Sequence, residues 1–399
     1  MSARNAEAAA WTDPDSLDLA ALSRRDGEKW SVAKDGVLPA WVADMDFPIA
    51  PSIRQAVLHR MDTDLGYPAW YDESEGGPLG AAFAHRAHRR HGFAADPAHV
   101  RLFTDINQAM QVVLQLGTAP GDGVALHTPV CPPFEDTIGK LGRVARTVPI
   151  RMRDGAWRLD VDHLRDTVTG RRGGPPCRAL FLVNPHNPTG RVLRRRELLD
   201  IAALAVEHDL LVVSDEVHAD LVYPGHQHIP FASLSDEVAE RTVTLTSGSK
   251  TFNLAGIRCA VAHIGVKAVR DAVDDHQGLL FGQVSALAVD ALKAAWTSAD
   301  GWLDRVMTVL RHNRATVAEQ LPPGVACVLP EATYLAWLDC RALDLGEEPS
   351  DFFAREARVL LMPGSLFGSE GAGFVRLNFA TPPRILAELL RRIRGALGH

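Results

Sequence analysis

Long apolar runs are missing from this chain of 399 residues: stretches such as Ala179 to Val183 and Leu210 to Val213 end far short of what a membrane helix needs, roughly 18 residues. No bilayer-spanning segment is expected. Cysteine is scarce too; Cys131, Cys177, Cys259, Cys327 and Cys340 are odd in number, scattered and form no CxxC pair. That usage excludes a disulfide framework and a zinc ribbon, predicts no metal site, and fits reduced thiols in the cytoplasm. Basic runs are absent, and 42 Lys plus Arg against 49 Asp plus Glu leave a formal net charge of −7, so nucleic acid is not an expected partner. The segment Met1 to Asp18 lacks a basic stretch followed by an apolar one, which reads against a signal peptide. Internal repeats and low-complexity tracts are also lacking.

What is present is an ordinary globular composition, 46% hydrophobic and 23% charged, in a chain long enough for two or three domains. From about residue 100 to about 265, short apolar strands alternate with helical patterns. The strands read as Val100 to Phe103, Gly123 to His127, Ala179 to Val183, Leu210 to Val213, Thr242 to Leu245 and Ala260 to Ile264. Between them, Arg194 to His208 places Leu198, Ile201, Ala202 and Ala205 on one helical face. Such alternation predicts an α/β fold with a mainly parallel sheet flanked by helices. The last hundred residues differ: a helix near Trp302 to Gln320, strands near Tyr334 to Leu338 and Phe374 to Phe379, and an amphipathic helix from Pro383. They read as a smaller α+β domain (291–399) that the N-terminal segment (1–50) joins, beside a large domain over 51–290.

Three strands end in polar clusters: Asn184-Pro-His-Asn-Pro-Thr-Gly190, Ser214-Asp-Glu-Val-His218 and Thr246-Ser-Gly-Ser-Lys250. Ligands of open parallel sheets sit outside the carboxyl ends of the strands, so Asn187, Asp215 and Lys250 are placed to converge on one ligand. An amide, a carboxylate and a lysine, with Ser247 and Arg258 beside the lysine, are what a pyridoxal phosphate site requires. The carboxylate keeps a pyridine nitrogen protonated, the lysine forms a Schiff base, and Arg with Ser holds the phosphate.

These strings, together with Trp41-Val-Ala-Asp-Met-Asp-Phe47, Pro363-Gly-Ser-Leu-Phe-Gly368 and Phe374-Val-Arg-Leu-Asn-Phe379, resemble the fold-type I, class I/II aminotransferase superfamily. More narrowly they resemble its cystathionine β-lyase branch, the MalY/PatB-type C–S lyases. The resemblance runs from about residue 36 to the end. It implies a large domain with a seven-stranded type of sheet and a homodimer with sites at the interface. It implies pyridoxal 5'-phosphate on Lys250, which also moves the Cα proton, with Asp215 on the ring nitrogen, Asn187 on the ring hydroxyl and His218 nearby. Ser247 and Arg258 would hold the phosphate, helped by N–H groups at the helix start near Ile106 and Asn107. Arg376 would clamp the substrate carboxylate, Ala43 would line the substrate site, and Tyr67 would reach the phosphate or substrate of the neighbouring subunit. The implied reaction cleaves cystathionine or another cysteine S-conjugate to a thiol, pyruvate and ammonia. Transamination, and a decarboxylating or oxidative reaction on an S-conjugated cysteine, stay open. A non-catalytic regulator is disfavoured by the intact lysine and the lack of an appended helix-turn-helix.

Two departures fall around the cofactor. Cys131 stands in Pro129-Val-Cys-Pro-Pro-Phe134 where the family commonly has a ring-stacking tyrosine, and Thr104-Asp-Ile-Asn-Gln108 puts a carboxylate beside the phosphate position. Plainer readings stay available: Asp215 as a helix cap, Asn187-Pro188 as a turn, His218 as a packed histidine, Tyr67 as core and Cys131 as a small packing residue. His85, His88 and His91 among Arg86, Arg89 and Arg90 read as a solvated basic helix face rather than a metal site. Gly248-Ser-Lys-Thr251 lacks the glycine spacing of a nucleotide-binding loop.

Overall fold

A computed structural model describes residues 17–33, 36–68, 76–276 and 280–399. Seven strands form the main sheet: β1 (Val100–Phe103), β2 (Gly123–Thr128), β3 (Val144–Pro149), β4 (Cys177–Val183), β5 (Leu211–Asp215), β6 (Thr242–Ser247) and β7 (Ala260–Ile264). Their order is β1-β7-β6-β5-β4-β2-β3, and only β7 runs against its neighbours. The sheet is therefore mainly parallel, with helices on both faces, as the alternation requires. The strand β3 escaped the sequence reading because it is an edge strand whose Val144, Ala145 and Thr147 face solvent.

The two faces follow from the two-residue period of a strand. Phe181, Val213 and Leu245 pack with Met110, Val113 and Leu114 of the helix Ile106–Gly117. Their neighbours Leu180, Leu182 and Val212 pack on the other face with Leu198, Ile201 and Ala205 of the helix Arg195–Glu207. Buried on both sides, the central strands are near-continuous apolar runs. Reversal of β7 matters for the site: it starts at the edge where the other strands end, so Arg258 just before it lies beside the segments that follow β1 and β6.

A second, antiparallel sheet is built from β8 (Ala326–Cys327), β9 (Leu335–Asp339), β10 (Met362–Pro363) and β11 (Phe374–Asn378), in the order β8-β9-β11-β10. In the N-terminal segment, Leu38–Pro39 pairs in parallel with Val359–Leu360. From there the chain crosses to the main sheet, anchored by a buried ion pair: Lys29 Nζ donates to Asp46 Oδ2 at 2.7 Å while Trp30 Nε1 donates to Asp46 Oδ1 at 2.7 Å.

One expectation needs correcting. The helix Gly77–His91 is not solvated along its whole basic face, because Arg86 is buried, with two hydrogen bonds to Asp220 and one to Asp300. His91 also reaches Asp220, at 3.3 Å. Asp220 is largely covered and needs those partners; the Arg86, His91 and Arg90 charges hold its carboxyl far below the usual range against the cost of burial. A charge pattern on one helix does not reveal a carboxylate 134 residues away.

Two outcomes follow. Removing one partner of the Lys29–Asp46 pair, as in Asp46→Ala, leaves a buried ammonium without its counter-ion, and denaturant unfolding is expected to show a loss of roughly 3–5 kcal/mol. Burial lowers the imidazoles of His127 and His263 to about 4 and those of His186 and His218 to about 3, all below the unfolded value of 6.5. These rings are neutral in the fold and protonate when it opens. Stability is thus highest above pH 6.5 and falls as pH drops toward 4, by up to about 1.4 kcal/mol per unit for each ring. Asp215, raised to about 6 by burial, acts in the opposite direction but is outnumbered four to one. Thermal scans between pH 7.5 and 5 check the sign.

Candidate active site

The cleft opens at the carboxyl ends of β2, β4, β5 and β6, under the extended segment Trp41 to Phe47. Lys250 sits in the one-turn helix Gly248–Thr251 that follows β6; Ser247 caps this turn, its Oγ accepting from Ser249 N at 3.1 Å. The Lys250 amine donates to the backbone carbonyl of Ala43 at 2.9 Å. Burial lowers its affinity for a proton and nearby Arg376 adds to this, while Asp44, Cys131 and Asp215 pull the other way. Burial thus moves this lysine in the direction that a nucleophile or base requires.

Asp215 ends β5, accepts from Val217 N at 3.0 Å, and is pushed up to about 6 by burial. A buried carboxylate in this state fits a ligand that brings a protonated nitrogen. The chain after β4 carries Asn187, whose Nδ2 donates to Cys131 Sγ at 3.2 Å and whose Oδ1 accepts from Arg376 Nη1 at 3.2 Å. Arg376, in the middle of β11, also donates to the Trp41 carbonyl at 2.9 Å and lies over the Phe367 ring, 5.0 Å from its centroid. Its Nε is buried with no partner, and every acceptor around it is neutral or sulfur. A buried guanidinium in that position calls for a carboxylate. His218 is buried, neutral, edge-on to Tyr334 at 6.2 Å between centroids, with Nδ1 unpartnered.

At the far end of the cleft Arg258 pairs closely with Asp105. Asp105 is also the cap of the helix Ile106–Gly117, accepting from Gln108 N at 2.8 Å. The carboxylate flagged in the sequence therefore sits on the cation meant for a phosphate, beside the helix start at Ile106 and Asn107. Ser247 Oγ donates at 2.7 Å to the carbonyl of Cys259, the residue after Arg258. Ser247, Arg258 and the helix start at Ile106 thus lie together, with the Asp105 carboxylate on the Arg258 guanidinium.

Of the residues singled out, Lys250, Ala43, Asp215, Asn187, Cys131, His218 and Arg376 line one cleft, and Ser247, Arg258, Ile106 and Asn107 gather at its anion end. Tyr67 is not brought to this cluster; it is 95% exposed in the single chain. Sequence reasoning missed Tyr334, whose hydroxyl donates to the Ala43 carbonyl at 2.8 Å. It also missed Asn378 and Asn253, which clamp the Trp41 to Phe47 segment through the carbonyls of Val42, Asp44, Met45 and Phe47. These contacts span 206 to 336 residues and leave no periodic trace; the only signal was the place of Asn378 and Tyr334 within strands already recognised.

The chain belongs to the aminotransferase class I and II family, which matches residues 44–393. It is 36% identical over 369 residues to the cystathionine beta-lyase PatB of Bacillus subtilis, covering 90% of this chain and 92% of that one. Among solved structures, OvoB superposes with a TM-score of 0.87 at 35% identity over 94% and 96% of the two chains. A pyridoxal phosphate-bound C–S lyase from Staphylococcus hominis gives 0.86 at 27% identity over 98% of each.

The Asp105–Arg258 pair makes a prediction. Asp105→Asn keeps a good helix cap and removes the competing charge, so titration of pyridoxal phosphate into the stripped protein is expected to show roughly tenfold tighter binding. Unchanged or weaker binding would mean that the carboxylate supports the phosphate rather than competing with it.

Proposed function

We propose that the protein is a pyridoxal 5'-phosphate-dependent carbon–sulfur β-lyase that converts a cysteine S-conjugate such as cystathionine into a thiol, pyruvate and ammonia. The observation that carries this reading is the convergence of Lys250, Asp215, Asn187 and Arg376 on one cleft, in a chain whose relatives bear the names cystathionine beta-lyase and C–S lyase. Lys250 would carry the cofactor, Asp215 would hold a proton at the ring nitrogen, and Asn187 and His218 would face the ring hydroxyl. Ser247, Arg258 and the N–H groups near Ile106 and Asn107 would take the phosphate once Asp105 turns aside. When bound, the cofactor supplies an electron sink for negative charge left at the substrate Cα.

The chain's own residues do the rest. Arg376 exchanges Cys131 Sγ and Asn187 Oδ1 for the substrate carboxylate and so fixes the Cα–H bond relative to Lys250. The Lys250 amine, whose affinity for a proton burial lowers, takes the Cα proton. The Cβ–S bond then breaks as a Cα=Cβ double bond forms; its electron pair leaves on sulfur, and the proton that Lys250 took from Cα is available to make the thiol. Water hydrolyses the enamine that remains to pyruvate and ammonia, so the elimination needs no second substrate besides water.

A homodimer is part of the same proposal. Met61, Leu65 and Tyr67 are exposed in the single chain at and just beyond the helix Pro51–Thr63, and an apolar patch there suits cover by a second copy that receives Tyr67 in its own cleft. Five unpaired thiols fit work in the cytoplasm.

The test is to follow absorbance between 300 and 550 nm while L-cystathionine is added, assaying pyruvate and thiol in the same tube. Equal amounts over many turnovers are expected; a spectral change without thiol would turn the reading toward transamination. Lys250→Ala should lose at least about 1000-fold in kcat. Arg376→Lys, which cannot form a bidentate pair, should raise KM for cystathionine about tenfold or more with a smaller change in kcat.

A further inference from the structure

The carbonyl of Ala43 accepts two hydrogen bonds, from Lys250 Nζ at 2.9 Å and from Tyr334 Oη at 2.8 Å. We propose that Tyr334 is a positioning residue for the proton transfer: it holds the Ala43 carbonyl as the resting point of the free Lys250 amine and, by taking one lone pair of that oxygen, keeps the amine from being stabilised as ammonium. This inference rests on the reading of Lys250 as the cofactor-bearing lysine and adds the residue that sets its proton affinity.

Three observations carry it. Tyr334 is fully buried, so its hydroxyl has no water to turn to, and its donation to Ala43 is the polar contact that fixes the ring's far end. The residue before it, Thr333, holds φ at +72°, a left-handed conformation that a β-branched residue adopts only under constraint. Most of that constraint comes from outside the strand. The Tyr223 hydroxyl donates to Thr333 O at 2.7 Å, Thr333 N donates to Leu221 O at 3.0 Å, and Leu335 N donates to Thr333 Oγ1 at 3.1 Å. Strain at this turn is what aims Tyr334 under the Trp41 to Phe47 segment. Lastly, burial raises the phenol's pKa well above its ordinary value, so it remains a donor at any working pH.

The electrostatic step follows from a carbonyl's two lone pairs. With the phenol O–H on one of them, the hydroxyl's positive end lies close to Nζ and the oxygen offers less to a cation. Without it, the full carbonyl dipole is available to an ammonium. The other charges and titratable groups around the pair are fixed: Lys250 faces Asp44, Arg376, Cys131, Asp215 and His218, while Tyr334 faces Asp44, Arg376 and His218. Tyr334→Phe leaves them all in place and removes one donor.

The experiment measures Lys250 itself. Full-length protein freed of cofactor is treated with an amine-acylating reagent across pH, and modification of the Lys250 peptide is read by mass spectrometry. Tyr334→Phe is expected to move the midpoint up by about one pH unit, and in the holoenzyme to lower kcat near neutrality with KM for cystathionine unchanged. A midpoint that stays put or moves down in folded Tyr334→Phe overturns the proposal. Should that variant not fold, 3-fluorotyrosine at position 334 keeps the volume and strengthens the donor. A midpoint that moves down then supports the proposal, and one that does not overturns it. Failure of the underlying reading looks different: Lys250→Ala would still retain pyridoxal phosphate covalently after borohydride reduction.

Discussion

Two backbone carbonyls, those of Trp41 and Ala43, hold two basic side chains of the cleft, Arg376 and Lys250. The rest of the site depends on that arrangement. The carbonyls belong to an extended stretch without a ladder of its own, so its polar groups must be satisfied from elsewhere. Asn378 clamps it from the antiparallel sheet, Asn253 from just beyond the lysine turn, and Asp46 ties it to Lys29 and Trp30. Lys250 and Arg376 lie 207 and 335 residues from their carbonyls. No local segment can therefore assemble the cleft. It exists only when the N-terminal stretch, the main sheet and the C-terminal sheet are docked together.

Docking leaves charges in unequal company. Arg376 is enclosed among a carbonyl, an amide oxygen, a thiol and an aromatic face, none of which cancels its charge. Asp215 is enclosed with one backbone N–H and pushed up to about 6. A buried guanidinium with no carboxylate beside it and a carboxyl whose pKa burial raises, in one site, each cost stability that a ligand of the matching charge returns. At the anion end the chain has already supplied such a ligand from within, because Asp105 occupies Arg258. Two of the places where a cofactor and an amino acid would put charge are thus visible as imbalances in the protein alone, and the third is filled by Asp105.

How far the sequence shows this depends on whether a feature is local. The main sheet was legible because strands buried on both faces are continuous apolar runs, and the residues at their carboxyl ends, Asn187, Asp215 and Lys250, are placed by topology once the strands are known. The edge strand β3 was not, since half its side chains face water. Arg86 was misjudged because its partners Asp220 and Asp300 come from distant segments. Tyr334 was passed over because a tyrosine before an apolar strand reads as core. Its importance lies in one hydroxyl hydrogen bond across 291 residues. Backbone acceptors such as the Trp41 and Ala43 carbonyls are invisible to any reading by residue type.

Cys131 illustrates how a departure can leave the machinery intact. Its thiol takes the Nδ2–H of Asn187 and faces Arg376 Nη1 at 3.8 Å. Sulfur is a weak acceptor, so both donors are held loosely. An arriving carboxylate or ring hydroxyl offers oxygen to the same donors and forms shorter, stronger hydrogen bonds, so the exchange runs toward the ligand. A thiol is also much smaller than a phenol ring, and the room gained adjoins the wall formed by Trp337, Phe367 and Phe374. The thiol therefore leaves room beside that aromatic wall and holds the Asn187 and Arg376 donors loosely, without touching the hydrogen bonds of Lys250 and Asp215.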